Sequence, residues 1–293
     1  MKCVFMYNPY SGKEKVKKQV DFIKARLLEK YDEVDVFAST HAGEMTEKAE
    51  EFSKVYDAIV FAGGDGTFNE VIQGVRAGRS VPLGYIPCGT VNDIARSLDI
   101  PRNIKGALKN ILEGEQKDLD VMQVNDRLVM YSVSAGAFTG CSYQTSHSAK
   151  KFAGKIAYGC NILFRNLRLK FFPVRVTMGE TVVECDSAFV LFMNSRSVAG
   201  FGLNRGAILD DNQIEAVVVK GKGKIRTFFR VLKVFMLGYK RAKKNKYVYA
   251  LEGNEFSVKT SADTVWNFDG ECGETGEIFI KVLNKYLKVI VPR

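Results

Sequence analysis

A chain of 293 residues with 46% hydrophobic and 26% charged residues can build an ample core, and its length favours two domains over one. Six scattered cysteines with no C-x-x-C pair read as reduced thiols in a cytosolic protein, and only two histidines leave little material for a zinc site or Ser-His catalysis. The net charge of +10 implies an anionic partner, while no charge-free apolar run is long enough to span a bilayer and no signal-peptide pattern marks the start.

Residues 3–8 read as a buried strand whose turn, Asn8, Pro9, Tyr10, Ser11, Gly12 and Lys13, leads into a helix over about 14–30. That turn lacks the G-x-x-x-x-G-K-[ST] spacing of a Walker A loop. A second strand over 34–38 ends at Ser39 and Thr40, before a helix over 42–56. Residues 57–62 are a β-rich apolar run too short for a helix, followed by Gly63, Gly64, Asp65, Gly66 and Thr67. Phe68, Val71, Ile72 and Val75 then recur at helical spacing. The pattern repeats once: a strand over 81–86, a turn containing Cys88, Gly89, Thr90, Asn92 and Asp93, and another helix start.

Glycines at such turns let backbone N–H groups approach a ligand, and a helix N-terminus adds unpaired donors and partial positive charge suited to phosphate. Asp65 places a carboxylate in the same turn, where it could hold Mg²⁺ through water. A helix over 104–113, closed by Gly114, precedes a strand over 117–124 that carries Asp118 and Asp120. Alternating strands and helices predict a mainly parallel sheet covered on both faces, with ligands at the carboxyl ends of its strands. Asn8, Thr40, Gly64 to Thr67 and Gly89 to Thr90 all fall there.

Beyond a boundary near Asn125 and Asp126 the rhythm changes. Stretches over 128–134, 172–178, 181–185, 188–194, 213–219, 255–260, 264–267, 277–283 and 286–291 are strand-like, as an antiparallel β domain requires, and residues 283–286 read as a closing hairpin. Two basic amphipathic helices interrupt this domain, over 150–168 and 225–243. Each could lie on an anionic membrane or pack its apolar face on the β domain. The second belongs to an acid-free stretch, 216–251, with eleven lysines and arginines.

The N-P-x-S-G-K start, G-G-D-G-T-x-N-E at 63–70, P-x-G-T-x-N-D at 87–93 and D-G-E at 269–271 occur in the order found in the diacylglycerol kinase catalytic family, which the chain resembles over nearly its whole length. The resemblance implies a nucleotide-binding α/β domain with a mainly parallel, Rossmann-like sheet (1–125) and a β-rich antiparallel sandwich domain for the lipid acceptor (126–293), a plan shared with NAD kinase. It implies an ATP- and Mg²⁺-dependent lipid kinase, with diacylglycerol the leading acceptor. The nucleotide would lie among Asn8, Pro9, Tyr10, Ser11, Gly12, Lys13, Thr40, Gly63, Gly64, Gly66, Thr67, Phe68, Asn69, Glu70, Gly89, Thr90 and Asn92. Thr40 has a helix cap as its alternative role.

Asp65, Asp93 and Asp120 are candidates to position Mg²⁺, and the resemblance assigns the general base to Glu271 with Asp269 in support. A D-G-E between strands is by itself an ordinary turn; its companion motifs single out Glu271. The resemblance also suggests a structural Mg²⁺ held by the Asp211 carboxylate and the Ile208 and Gln213 carbonyls, where a plain hairpin turn is the alternative. The expected setting is cytoplasmic, peripheral to the inner face of an anionic membrane, with no nucleic acid and with a homodimer compatible. Two rival readings remain: an NAD kinase-like phosphotransferase, although the T-P-T-G-S-T-A-Y stretch is missing, and a non-catalytic anionic-lipid-binding protein of the same fold.

Overall fold

The computed structural model describes residues 1–9, 16–75, 81–137 and 169–293. Tyr10, Ser11, Gly12, Lys13, Cys141, Cys160 and the basic helix expected over 150–168 lie outside the described residues. The first part alternates β1 (Lys2–Tyr7), α1 (Val20–Leu27), β2 (Glu33–Ala38), α2 (Glu44–Ser53), β3 (Ala58–Gly63), α3 (Asp65–Val75), β4 (Leu83–Pro87), α4 (Asp93–Ser97), α5 (Ile104–Glu113) and β5 (Glu115–Val124). β1 to β4 are parallel, in the order β2-β1-β3-β4.

The run Ala58–Gly63 is wholly buried, and its side chains alternate between two cores as the period of a strand dictates. Ile59 and Phe61 join Phe68, Val71 and Ile72 of α3 on one face. Val60 and Ala62 join Ile23 and Leu27 of α1 and Leu108 and Ile111 of α5 on the other. α5 has the span expected, because Asn103 caps it by accepting from the Gly106 N–H at 2.8 Å. α1 is shorter than its apolar spacing suggests: a 3₁₀ turn, Lys17–Gln19, precedes it, and Leu28 is exposed.

The second part holds β6 (Arg127–Val129), β7 (Ser132–Gly136), β8 (Phe172–Met178), β9 (Thr181–Met193), β10 (Ile214–Lys220), α6 (Lys224–Leu237), α7 (Tyr239–Ala242), β11 (Val248–Gly253), β12 (Glu255–Thr260), β13 (Val265–Phe268), β14 (Glu271–Thr275) and β15 (Ile278–Val291). Pairing among these strands is antiparallel, around a core built on Phe192, Phe256, Trp266 and Phe268.

Several boundaries differ from the sequence reading, each for a local reason. The strand expected over 128–134 breaks at Met130 and Tyr131, whose N–H groups donate to Asp269 instead of to a neighbouring strand. The two strands expected over 181–185 and 188–194 form one, Thr181–Met193, since polar Ser187 is fully buried and its hydroxyl bonds the Phe189 and Val219 carbonyls within the sheet. The closing hairpin is a single strand, β15, with a register shift between Leu283 and Leu287 and Lys285 left-handed at φ 51°. A bulge absorbs what reads as a turn. β11 and β14 went unread; both are short and mostly exposed or half-buried. β15 also pairs with β4 through Val289 and Leu83, so the end of the chain completes the first sheet.

The helix expected over 225–243 is two helices, broken at Gly238, where φ is 75° and a Cβ would lie 2.7 Å from the Leu203 carbonyl oxygen. Phe228, Val231 and Val234 of α6 pack on Phe189, Leu191, Val217 and Val219, so one face of this helix covers the sheet. Among the described residues no helix is long and apolar enough to cross a membrane.

On β10, burial pushes the Glu215 carboxyl up to about 7 from 4.5. The folded chain therefore binds an extra proton between those values, and its stability falls as pH rises through that window. Glu215→Gln should remove this fall and raise stability at pH 8 by up to about 3 kcal/mol, with little change at pH 4, as urea unfolding at the two pH values would show.

Candidate active site

The carboxyl ends of β3 and β4 carry the two glycine turns, and the turns touch. A Cβ on Gly89 would lie 2.6 Å from the Gly64 Cα, so this position tolerates no side chain unless the turns move apart, and a Cβ on Gly64 would stand a tight 3.2 Å from the Gly89 Cα. The Cys88 N–H donates to the Gly63 carbonyl at 2.7 Å. Asn92, left-handed at φ 55°, closes the second turn by accepting from the Gly89 N–H and donating to its carbonyl, each at 2.9 Å. The N-termini of two helices, α3 and α4, thus begin side by side.

Asp65 opens α3, yet its Oδ1 accepts from the Ile94 N–H of α4 at 3.2 Å, linking the turns. Burial pushes its carboxyl upward, the Ile94 and Asp93 N–H groups pull it back, and the Asp93 charge adds to the rise. Asp93 is buried, and its Oδ1 accepts from the Ser197 hydroxyl at 2.6 Å and the Gly200 N–H at 2.9 Å. Two neighbouring carboxylates at helix N-termini form an oxygen donor set that suits a hard divalent cation. Among the described residues no three His, Cys, Asp or Glu side chains converge as a ligand cluster. A cation here would be held by one or two carboxylates together with phosphate oxygens, as Mg²⁺ commonly is.

The D-G-E turn reaches the same place from the far end of the chain. Asp269, at φ 51°, is 3% exposed and accepts three backbone N–H groups: Met130 at 2.6 Å, Tyr131 at 2.9 Å and Ser132 at 2.8 Å. Burial pushes its carboxyl up to about 7 against these donors. Glu271 is half exposed, and the Arg127 guanidinium donates to its Oε2 at 2.8 Å. Its Oε1 lies 3.3 Å from where a Cβ on Gly66 would stand, so the carboxylate hangs over the first turn of α3. Tyr131 marks the centre: burial first, then the charges of Asp269, Asp65, Asp93 and Glu271, push its phenol above the ordinary range.

The other predicted residues divide. Gly63 and Thr67 pack so tightly that a Cβ on the glycine would fall 2.2 Å from the Thr67 Oγ1. Glu70 lies near Glu271; burial raises its carboxyl, the Glu271 charge adds to this, and the Gly43 and Met45 N–H groups oppose it. Asn69 is 3% exposed with its Oδ1 unpartnered. Phe68 is fully buried against Phe61 and Tyr85, a core contact instead of a nucleotide one. Asn8 and Pro9 follow β1 at the same sheet edge, and Thr90 is exposed after β4. Thr40 is not the cap of α2, whose N-cap is Gly43 without a side-chain bond; its N–H and hydroxyl instead donate to Glu44 Oε2 at 2.6 and 2.9 Å.

Asp120 is grouped elsewhere. Its carboxylate accepts from Lys285 N–H at 2.7 Å and Asn212 N–H at 2.6 Å, beside the charges of Asp210 and Asp211. It thereby ties the β15 bulge to the turn proposed for a structural ion. In that turn Asn212 is left-handed at φ 62°, Asp211 Oδ1 accepts from the Gln213 N–H at 3.1 Å, Asp210 pairs with Lys117 and Ile208 is exposed. Arg127, Tyr131, Ser197 and Gly200 were not legible as site residues, since no motif marks them and they meet the acids only through the fold. Cys272, beside Glu271, departs from the expected thiols: it is disulfide-bonded, whereas Cys3, Cys88 and Cys185 are in no disulfide.

Residues 2–124 match the family model described as the diacylglycerol kinase catalytic domain. A diacylglycerol kinase from Staphylococcus epidermidis is 30% identical over 98% of this chain and 91% of its own length. A diacylglycerol kinase from Staphylococcus saprophyticus is also 30% identical, over 98% of this chain and 94% of its own. The crystal structure of a diacylglycerol kinase from Bacillus anthracis superposes with a TM-score of 0.81 at 23% identity, covering 99% of this chain and 96% of that one. An NAD kinase from Archaeoglobus fulgidus in complex with ATP shares the fold more distantly, with a TM-score of 0.54 at 14% identity over 99% of this chain and 93% of that one. With relatives matched over almost their whole length and the acids of three of the four motifs brought together, the chain belongs to the diacylglycerol kinase family of lipid kinases.

Proposed function

We propose that the protein transfers the γ-phosphate of ATP to the hydroxyl of diacylglycerol, giving phosphatidic acid, with Glu271 as general base. The observation that carries this reading is the Glu271 carboxylate held over the first turn of α3, where the glycine turns open. A primary alcohol is a weak nucleophile at neutral pH, so a positioned carboxylate is the group the reaction needs. The acceptor oxygen bonds to the γ-phosphorus as the bond to the β–γ bridging oxygen breaks; the hydroxyl proton passes to Glu271 and ADP leaves. The backbone around Gly64, Gly66 and Gly89 would cradle phosphates, and Asp65 and Asp93 would hold Mg²⁺ directly or through water. When bound, the ion neutralises charge on the phosphate oxygens. Asp269 pins the turn that carries Glu271, and Arg127 orients its carboxylate.

The same reading divides the chain at residue 125 into a nucleotide half and an acceptor half, with the C-terminal strand joining them. It sets the enzyme in the cytoplasm at the inner membrane face, handling lipid and not nucleic acid. A structural Mg²⁺ at Asp211, completed by the Ile208 and Gln213 carbonyls, is part of it. The ATP complex of the distantly similar NAD kinase supports ATP as donor.

The test is label transfer from γ-labelled ATP with Mg²⁺ to diacylglycerol, monoacylglycerol, ceramide, sphingosine and phosphatidylglycerol in mixed micelles, with NAD as soluble control. Label on diacylglycerol is expected; label on NAD alone, or on none, overturns the reading. Arg127→Ala should lower kcat by about tenfold while KM for ATP stays within about twofold, since it orients the base without touching the nucleotide turns. Steady-state kinetics at varied ATP would separate the two.

A further inference from the structure

We propose that the outer face of α6, with the cavity at its C-terminal end, is a docking surface for an anionic phospholipid bilayer. The proposal rests on the reading above that the acceptor is a membrane lipid, and it names the element that meets the membrane.

α6 is apolar on two sides. Its inner side covers the sheet through Phe228, Val231 and Val234. Its outer side carries Ile225, Phe229 and Met236, spaced four and seven residues apart and so on one helical face, at 63%, 53% and 71% exposure. Leu237 (46%) extends that face at the helix end, and Phe201 (52%) adjoins it through an edge contact with Phe235 at 5.8 Å. Single exposed apolar residues are ordinary on soluble proteins; five gathered along one helix form a contact surface.

The charge around this face selects the occupant. Residues 216–251 contain no acid, and Arg226 and Lys233 stand on α6 among the apolar positions. Such side chains lay their stems on apolar surface and keep their heads in the polar layer, the arrangement of an interfacial helix. At the C-terminal end of α6 a cavity of about 350 Å³ opens between the Gly238 link and the loop around Gly202 to Gly206. Arg205, Lys240 and Arg241 line it beside Met236 and Leu237, with no acid in the lining. Cations next to exposed aliphatic side chains match a phosphate headgroup with its acyl chains. A second copy of the chain would bring like charge against like charge, and a polyanion without acyl chains would leave the apolar face wet.

The surface also reaches the catalytic cleft. Phe201 follows Gly200, whose N–H donates to Asp93 at 2.9 Å, so one residue and one hydrogen bond link the apolar patch to the helix of the second glycine turn. A bilayer seated on α6 would therefore lie beside the cleft into which an acceptor must be delivered.

The experiment is sedimentation of the full chain with vesicles of phosphatidylcholine alone and of phosphatidylcholine mixed with phosphatidylglycerol. Two double variants are compared, Phe229→Asp with Met236→Asp and Arg205→Ala with Arg241→Ala. Val55→Asp, at another exposed apolar residue, serves as control. The expected result is binding to the mixed vesicles only, undisturbed by inorganic phosphate and reduced at least about tenfold in each double variant but not in the control. Equal binding to neutral vesicles, unchanged binding of both double variants, displacement by duplex DNA in preference to vesicles, or a dimer that Phe229→Asp with Met236→Asp dissociates would overturn the proposal. Label transfer to a water-soluble short-chain diacylglycerol is measured in parallel and should be the same in all variants. Loss of transfer in the unaltered chain with intact vesicle binding would sink the kinase reading alone; intact transfer with insensitive vesicle binding would sink the docking face alone.

Discussion

Glu271→Gln should lower kcat for phosphoryl transfer by about 10²- to 10⁴-fold, the range that a positioned general base contributes, with little change in KM for ATP. The substitution keeps the shape of the side chain and an oxygen that can still accept from Arg127, so the turn and the cleft stay as they are. What it removes is a site for the acceptor's proton at the moment the oxygen–phosphorus bond forms. Uniform loss in kcat and in kcat/KM for the lipid would identify a contribution made in the transition state. A loss under about tenfold would show that another group, or water, takes the proton. Asp65 and Asp93 serve the phosphates in this scheme, and their substitution should instead raise the requirement for Mg²⁺.

The second large effect concerns stability. Asp269→Ala should destabilise the fold by about 3–5 kcal/mol, because three buried N–H groups lose their acceptor together and each unpaired donor costs about 1–3 kcal/mol. The left-handed backbone at this position adds to the cost, since Asp tolerates it better than Ala does. Asp269→Asn separates the contributions. Oδ1 accepts from both Tyr131 and Ser132, and an amide oxygen there can keep both bonds, while the amide nitrogen would face the Met130 N–H that Oδ2 now accepts. The asparagine variant should therefore lose about half as much as the alanine variant. Urea unfolding monitored through Trp266, buried in the same β core, reads both; equal midpoints for Asp269→Ala and the unaltered chain would refute the anchoring role. Activity should fall in step, since the turn Asp269 secures is the one that carries Glu271.

The parallel half and its two glycine turns were open to reading because their signals are local. A short β-rich apolar run, a glycine turn and an apolar helical period occupy consecutive residues, and the parallel order then places every such turn at one edge of the sheet. Asn103 and Gly114 bracket α5 in the same way, and its limits could be read to the residue. Thr40 was not legible: it sits three residues before the Gly43 N-cap and donates to the Glu44 carboxylate, a contact that no capping pattern marks.

Sequence by itself thus determined the order of elements in the parallel half, the family, and the acids worth watching: Asp65, Asp93, Asp269 and Glu271. Only the tertiary structure decided which of them meet. β13 pairs with β7, and that register carries Asp269 to the N–H groups of Met130 to Ser132 and Glu271 to Arg127 and Gly66. The bulge in β15 turns the Lys285 N–H toward Asp120 and binds that acid to the Asp210–Asp211 turn, although on sequence it reads as a partner of Asp65. Phe68 sits inside a nucleotide motif yet faces the core, because α3 must bury one side against β3 and β4. Periodicity and turn chemistry act over a few residues, whereas the partner of a buried carboxylate is set by strand register and by desolvation summed over the folded chain.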